Sequence, residues 1–258
     1  MLFLAATAGS SRPTRLQEFY GELDRLHGRT DGPYYLSDVD GSLDWPERGV
    51  YVFFDPNTDL KHQQRDQWYI SRIGTVGVSQ GSTSTLWDRL LAHRGTTSGA
   101  YEDGGNHRGS IFRQHVGRSI IESEGLQDEY PHWGTAHRSL PDDLETTALR
   151  EQEHPLELRV SEYVRDIPFL VIDIPGGPGP DCSRAMIEKN LIALTAHARR
   201  TTPGLIRDGW IGRESPRGTI AHSGLWNLDH VNAFYSDSII TDVEPYIDQT
   251  DPIGVSNE

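Results

Sequence analysis

The strongest period-two stretch of the chain is Gly49-Val50-Tyr51-Val52-Phe53-Phe54, β-branched and aromatic throughout. It predicts a strand with Tyr51 and Phe53 on one face and Val50, Val52 and Phe54 on the other. Asp55-Pro56-Asn57-Thr58 reads as the turn that follows. A second strand is expected over Trp68 to Gly74, where large and polar residues alternate and a glycine stops the run. The continuous apolar run Ile167 to Ile174 predicts a central buried strand, closed by Pro175-Gly176-Gly177-Pro178-Gly179-Pro180. Leu16, Phe19, Tyr20, Leu23 and Leu26, three and four apart, predict an amphipathic helix from Arg12 to Leu26, broken at Asp31-Gly32-Pro33. Thr85 with Asp88 forms a capping box for a helix that Gly95 ends. Ile111, Phe112, His115, Val116 and Arg118 suggest a further short helix with basic side chains free to grip phosphates. Another helix runs from Ser183 to about Arg199, its buried arc set by Ile187, Leu191, Ile192 and Leu194. Between Ile120 and Glu162 the chain turns acidic, with one helix expected near Asp143 to Gln152. The acidic tail from Thr241 is expected to fray.

Composition limits the classes available. A chain of 258 residues has room for one large domain or for a small core with insertions. Its one cysteine, Cys182, excludes an internal disulfide. The opening residues lack a basic n-region and no run is long enough to span a membrane, so a soluble cytoplasmic protein is expected. The net charge of −14 argues at first against a polyanionic partner. Its distribution changes that picture. Arg72 to Arg118 holds six arginines against three acids, and Arg184 to Gly218 holds seven Lys and Arg against three acids, leaving a net −21 on the rest. Only two lysines accompany 22 arginines, and guanidinium suits bidentate phosphate contacts. An acid-rich, lysine-poor surface adapted to high salt would give the same totals.

The candidate chemistry sits with the basic stretches. On the helix after Thr85, Leu86, Arg89, Leu90 and His93 fall within one arc, so Arg89 and His93 are neighbours one turn apart, beside the apolar stripe. A charge there points into a cleft or takes a partner. Tyr51 is either a core aromatic with its hydroxyl at the rim or a phenol that orients or deprotonates water. The second role needs positive charge beside it. Glu188 falls inside the apolar arc of its helix, which calls for a cation, either Arg184 or another arginine, or a divalent metal.

Strand, loop, strand ending in Ile73-Gly74, then a helix with Arg89 and His93 resembles the GIY-YIG nuclease family. Gly49-Val50-Tyr51 stands for the first motif and Arg72-Ile73-Gly74 for the second. The stretches Arg72 to Thr75, Ser84 to Leu90 and Gly104 to Arg113 look like a branch of that family with Arg-Ile-Gly-Thr in place of the second motif. The motif's second tyrosine is Arg72 here, with Tyr69 as the nearest substitute. The resemblance implies an α+β fold, a small antiparallel or mixed three-stranded sheet flanked by helices, with large insertions. It implies one elaborated domain over 1–258: an N-terminal helical extension 1–45, a core at 46–118 and 166–230, and an acidic insertion at 119–165. It implies a metal-dependent endonuclease acting on nucleic acid, DNA foremost, with Mg²⁺ or Mn²⁺ as cofactor. Tyr51, Arg89, His93, Glu188 and Asn227 are the implied catalytic residues, and Glu188 the metal ligand. Arg72, Arg94, His107, Arg108 and Arg113 are the expected nucleic-acid contacts. A binding module that has kept the scaffold and lost the chemistry is the competing class.

Overall fold

β1 (Gly49–Asp55) is the middle strand of a three-stranded sheet, flanked by β2 (Tyr69–Thr75) and β3 (Phe169–Asp173). Both pairings are antiparallel. The coordinates are a computed structural model and describe residues 14–55, 69–141, 143–202, 205–206 and 208–254. The turn expected at 56–58 lies outside these residues, as does Trp68.

The side-chain alternation of β1 divides the core in two. Val50, Val52 and Phe54 enter one apolar cluster, and Tyr51 and Phe53 enter another. The first face is covered by α1 (Arg15–Arg29) through Leu16, Phe19, Leu23 and Leu26, and by α5 (Ser183–Thr201) through Ile187, Leu191, Ile192 and Leu194. α7 (Ile239–Gln249) completes it with Ile239, Val243 and Ile247. The second face carries α2 (Leu86–Arg94), α3 (Ile111–Glu124) and α4 (Thr146–Asp166), through Leu86, Leu90, Phe112, Val116, Leu156, Val160 and Val164. Trp226, just beyond the short α6 (Gly218–Ser223), joins this second layer. The expected α+β architecture with an antiparallel sheet is the one observed.

Local signals fix the ends of the helices. Thr14 caps α1 with Gln17 answering from the third position. Thr85 and Asp88 make the same reciprocal pair at α2, and the Asp88 carboxyl is held below the usual range by the Thr85 N–H and hydroxyl. Ser110 caps α3, accepting from the Arg113 N–H.

Four expectations need correcting. β3 is buried but lies at the sheet edge, beside a single bridge to Tyr34. Its continuous apolar run reflects helices over both faces, not a central place in the strand order. The basic helix after Asn106 does not offer all its cations to solvent, because Arg113 and His115 point inward and are buried. The helix expected at Asp143 to Gln152 is the 21-residue α4, a core helix. Two of its inward positions are Glu153 and Glu157, so its buried stripe reads as polar in the sequence. The tail does not fray at Thr241, since α7 buries Ile239, Val243 and Ile247, spaced four apart on one helical face.

Candidate active site

Tyr51 stands directly opposite Gly74 in the β1–β2 register, and its ring lies across that glycine. A Cβ at position 74 would come within 2.2 Å of the phenolic oxygen, so only glycine leaves room for the ring. The Tyr51 hydroxyl is then carried to α2, where it lies 2.9 Å from Nε2 of His93. Nδ1 of His93 lies 2.8 Å from Oγ of Ser110 at the start of α3. All three residues are 1% exposed. Burial, then the positive charges of Arg72, Arg89 and Arg113, hold the His93 pKa well below its ordinary value, so the ring is neutral at physiological pH.

An ion network under α3 holds this chain of groups in place. Arg113, fully buried, donates to both oxygen-bearing ends of Glu157, to Ser161 and, through Nη1 at 3.0 Å, to the backbone carbonyl of His93. Its guanidinium lies against Gly105, where a Cβ would approach to 2.4 Å, which accounts for the small residue before Asn106. Glu157 also accepts from the backbone N–H of His107 and lies 2.9 Å from Nδ1 of that ring. Nε2 of His107 accepts from Gly134, and its ring stacks on Trp133. His107 is therefore a neutral ring with Nδ1–H on the carboxylate. These opposing bonds and charges hold the Glu157 carboxyl below the ordinary range against its burial.

Above the network opens a cleft of about 590 Å³. It brings together Tyr51 and Arg72 from the sheet, Arg89 and His93 from α2, Glu188 from α5 and Asn227 beyond α6. Arg72 also lies over the ring of Phe112 at 5.1 Å and donates to the carbonyl of Trp226. Asn227 uses both ends of its amide on the backbone of Ile73, at 3.1 and 2.7 Å, while the Trp226 N–H donates to Ser71. Residues 226–227 thereby close the free edge of β2, Asn227 on the backbone of Ile73 and the Trp226 carbonyl under Arg72 Nη1.

The remaining expected contacts are placed differently. Arg108 lines the cleft but is held by Glu153, His132 and Thr135. His107 and Arg113 are committed inside the protein, and Arg94 closes α2 without lining the cleft. Thr75 and Ser110 lie in stretches that carry the resemblance but, like Asp229, are not among the site residues expected from sequence. For Ser110 the signal was a capping serine just before the Ile111 to Arg118 helix, and for Asp229 nothing beyond its nearness to Asn227.

Glu188 carries the strongest electrostatic signature. Burial pushes its carboxyl up to about 7, helped by Asp229 and opposed by Arg72, the Thr75 N–H and Arg89. Arg184, the partner considered from sequence, is instead buried and donates to the carbonyls of Ile174, Val76, Gly77, Gly176 and Gly177. A carboxylate held against its charge, beside a second carboxylate and without an ion pair among the described residues, fits a cation ligand. Among those residues no cluster of three or more His, Cys, Asp and Glu surrounds a point. That donor set suits an ion that keeps most of its waters, such as Mg²⁺.

A tyrosine on the first strand, a glycine beneath it on the second, and an arginine and histidine on the next helix define a GIY-YIG type of nuclease scaffold. The chain belongs to this family: the model for the GIY-YIG domain matches residues 10–253. Its members are endonucleases that in general depend on divalent metal, so membership implies nuclease activity on nucleic acid. No curated protein and no solved structure matches the chain. Among the described residues no helix is long and apolar enough to cross a membrane.

Proposed function

We propose that the chain is an endonuclease that hydrolyses DNA phosphodiester bonds with Mg²⁺ or Mn²⁺, working as one elaborated domain. The observation that carries this reading is the meeting of Tyr51, Arg89, His93 and Glu188, from three elements far apart in sequence, around one cleft large enough for a phosphate. Tyr51 presents its phenolic oxygen to the water that attacks phosphorus, and His93 holds that oxygen in place. Arg89 is the exposed guanidinium on the rim and stabilises charge developing on the phosphate oxygens. Arg72 brings a second fixed cation where the motif has a tyrosine. Glu188 would hold the divalent ion, which when bound stabilises the leaving oxygen. Asn227 keeps β2, and with it Arg72, in register.

Plasmid and single-stranded DNA incubated with Mg²⁺ or Mn²⁺ test the reading, with wild type beside Glu188→Gln. Metal-dependent cleavage by the wild type, lost in the variant, is expected. Salt-dependent retention of DNA with no cleavage by either protein would overturn it in favour of a binding module.

A further inference from the structure

The bond between Tyr51 and His93 has two possible directions, set by which ring nitrogen of the neutral imidazole carries its proton. The other end of the ring decides between them. Ser110 is buried, and its hydroxyl oxygen already accepts the Arg113 N–H as the cap of α3. Its hydrogen needs an acceptor of its own. Among the described residues the one acceptor within reach is Nδ1 of His93, at 2.8 Å.

We infer that Ser110 is a positioning residue for the cleavage site: its hydroxyl donates to Nδ1 and so fixes the proton of His93 on Nε2, from which it is donated to the oxygen of Tyr51. His93 then takes no proton from the phenol. It supplies a hydrogen bond that holds the phenolic oxygen in place, and the phenol's own O–H turns toward the cleft, where it orients the attacking water. The charges facing the ring agree with this. Arg72 on β2, Arg89 on α2 and Arg113 on α3 are all positive and oppose a second proton on the imidazole, and Arg113 also anchors the His93 carbonyl. Arg72 and Arg89 line the same cleft as Tyr51, with the carboxylates Glu188 and Asp229 also on it, and among the described residues the hydrogen-bond partner of the Tyr51 hydroxyl is His93. The inference rests on the nuclease reading only for its consequence in catalysis.

Ring ¹⁵N shifts of histidine-labelled protein at pH 7.5, assigned with His93→Gln, read the proton's position directly. Nε2–H in the wild type, lost as a single form in Ser110→Ala and restored in Ser110→Thr, is expected. Nδ1–H or an imidazolium in the wild type, or an Nε2–H form indifferent to Ser110→Ala, would overturn the proposal. In cleavage assays at pH 7.5, Ser110→Ala should lower kcat about tenfold with KM little changed, and Ser110→Thr should stay near wild type. An unchanged kcat in Ser110→Ala would overturn the proposal. Should the protein not cleave DNA, the nuclease reading fails, and the nitrogen shifts still decide the proton's position.

Discussion

The two faces of the sheet are built from different materials. On the face of α1, α5 and α7 the contacts with Val50, Val52 and Phe54 are those of leucines, isoleucines and aromatics. On the face of α2, α3 and α4 the apolar residues share the interior with His93, His107, Arg113, His115, Glu153 and Glu157, each at most 4% exposed. The first layer is mainly apolar, with Arg184 and Arg199 of α5 buried at its margins and donating to backbone carbonyls, and substitutions of similar size are tolerated among its apolar residues. The second depends on every charge keeping its partner, because an ion left buried alone costs more than the pair returns. The face that carries the phenol and imidazole is thus the one with the smaller tolerance for error.

The largest effect should come from cutting that network at its centre. Glu157→Ala strands Arg113 and unties His107, and is expected to lower stability by about 3–5 kcal/mol in urea titration. A loss below about 1 kcal/mol would mean the polar layer tolerates change as the apolar one does. Next comes the rim, where Arg89 is exposed and away from the network. Arg89→Ala should reduce cleavage by about 10²–10³, equivalent to about 3–4 kcal/mol in the barrier, with its melting curve unchanged. Loss of folding instead would erase the division between scaffold and chemistry.

pH offers a third test. Among the described residues both ring nitrogens of His115 lack a hydrogen-bond partner, and burial, then Arg72, Arg217 and Arg118, lower its pKa to about 4. The unfolded chain therefore binds this proton first. The resulting stability is complete above about pH 6.5 and is lost as pH falls toward 4, roughly 3 kcal/mol from this group. The depressed His93 adds a loss of the same sign below about pH 6.5. Denaturation at pH 7 and pH 4.5 should show His115→Leu losing less than the wild type, and an equal loss would remove His115 as a cause. The smallest effect is expected in the apolar layer, where Ile247→Val on α7 should cost about 0.5–1.5 kcal/mol and leave cleavage unchanged.

This contrast also explains what the amino-acid sequence made legible. The apolar layer follows simple periods, and β1, α1 and the buried arc of α5 can be read directly. α7 follows the same rule, but acids between its buried positions masked Ile239, Val243 and Ile247. The polar layer was harder. α4 buries two glutamates whose partners lie 44 to 50 residues away, so no window of the chain reveals why acids face inward. The candidate catalytic groups were found because Arg89 and His93 share a helix turn and Tyr51 and Gly74 carry the motif. Arg113 and His107 looked like phosphate contacts for want of any local sign of Glu157. Ser110 had no local feature to separate a cap from a partner of His93.

The fit of Tyr51 over Gly74 makes positions 51 and 74 a matched pair that can change only together. A methyl group at 74 would expel the ring, while loss of the ring would leave a gap on the sheet. Position 72 is under no such restriction, because its side chain reaches past the strand to the cleft and Phe112. An arginine at 72 therefore fits where the family motif has a tyrosine without disturbing the sheet, whereas position 74 admits only glycine beneath the ring.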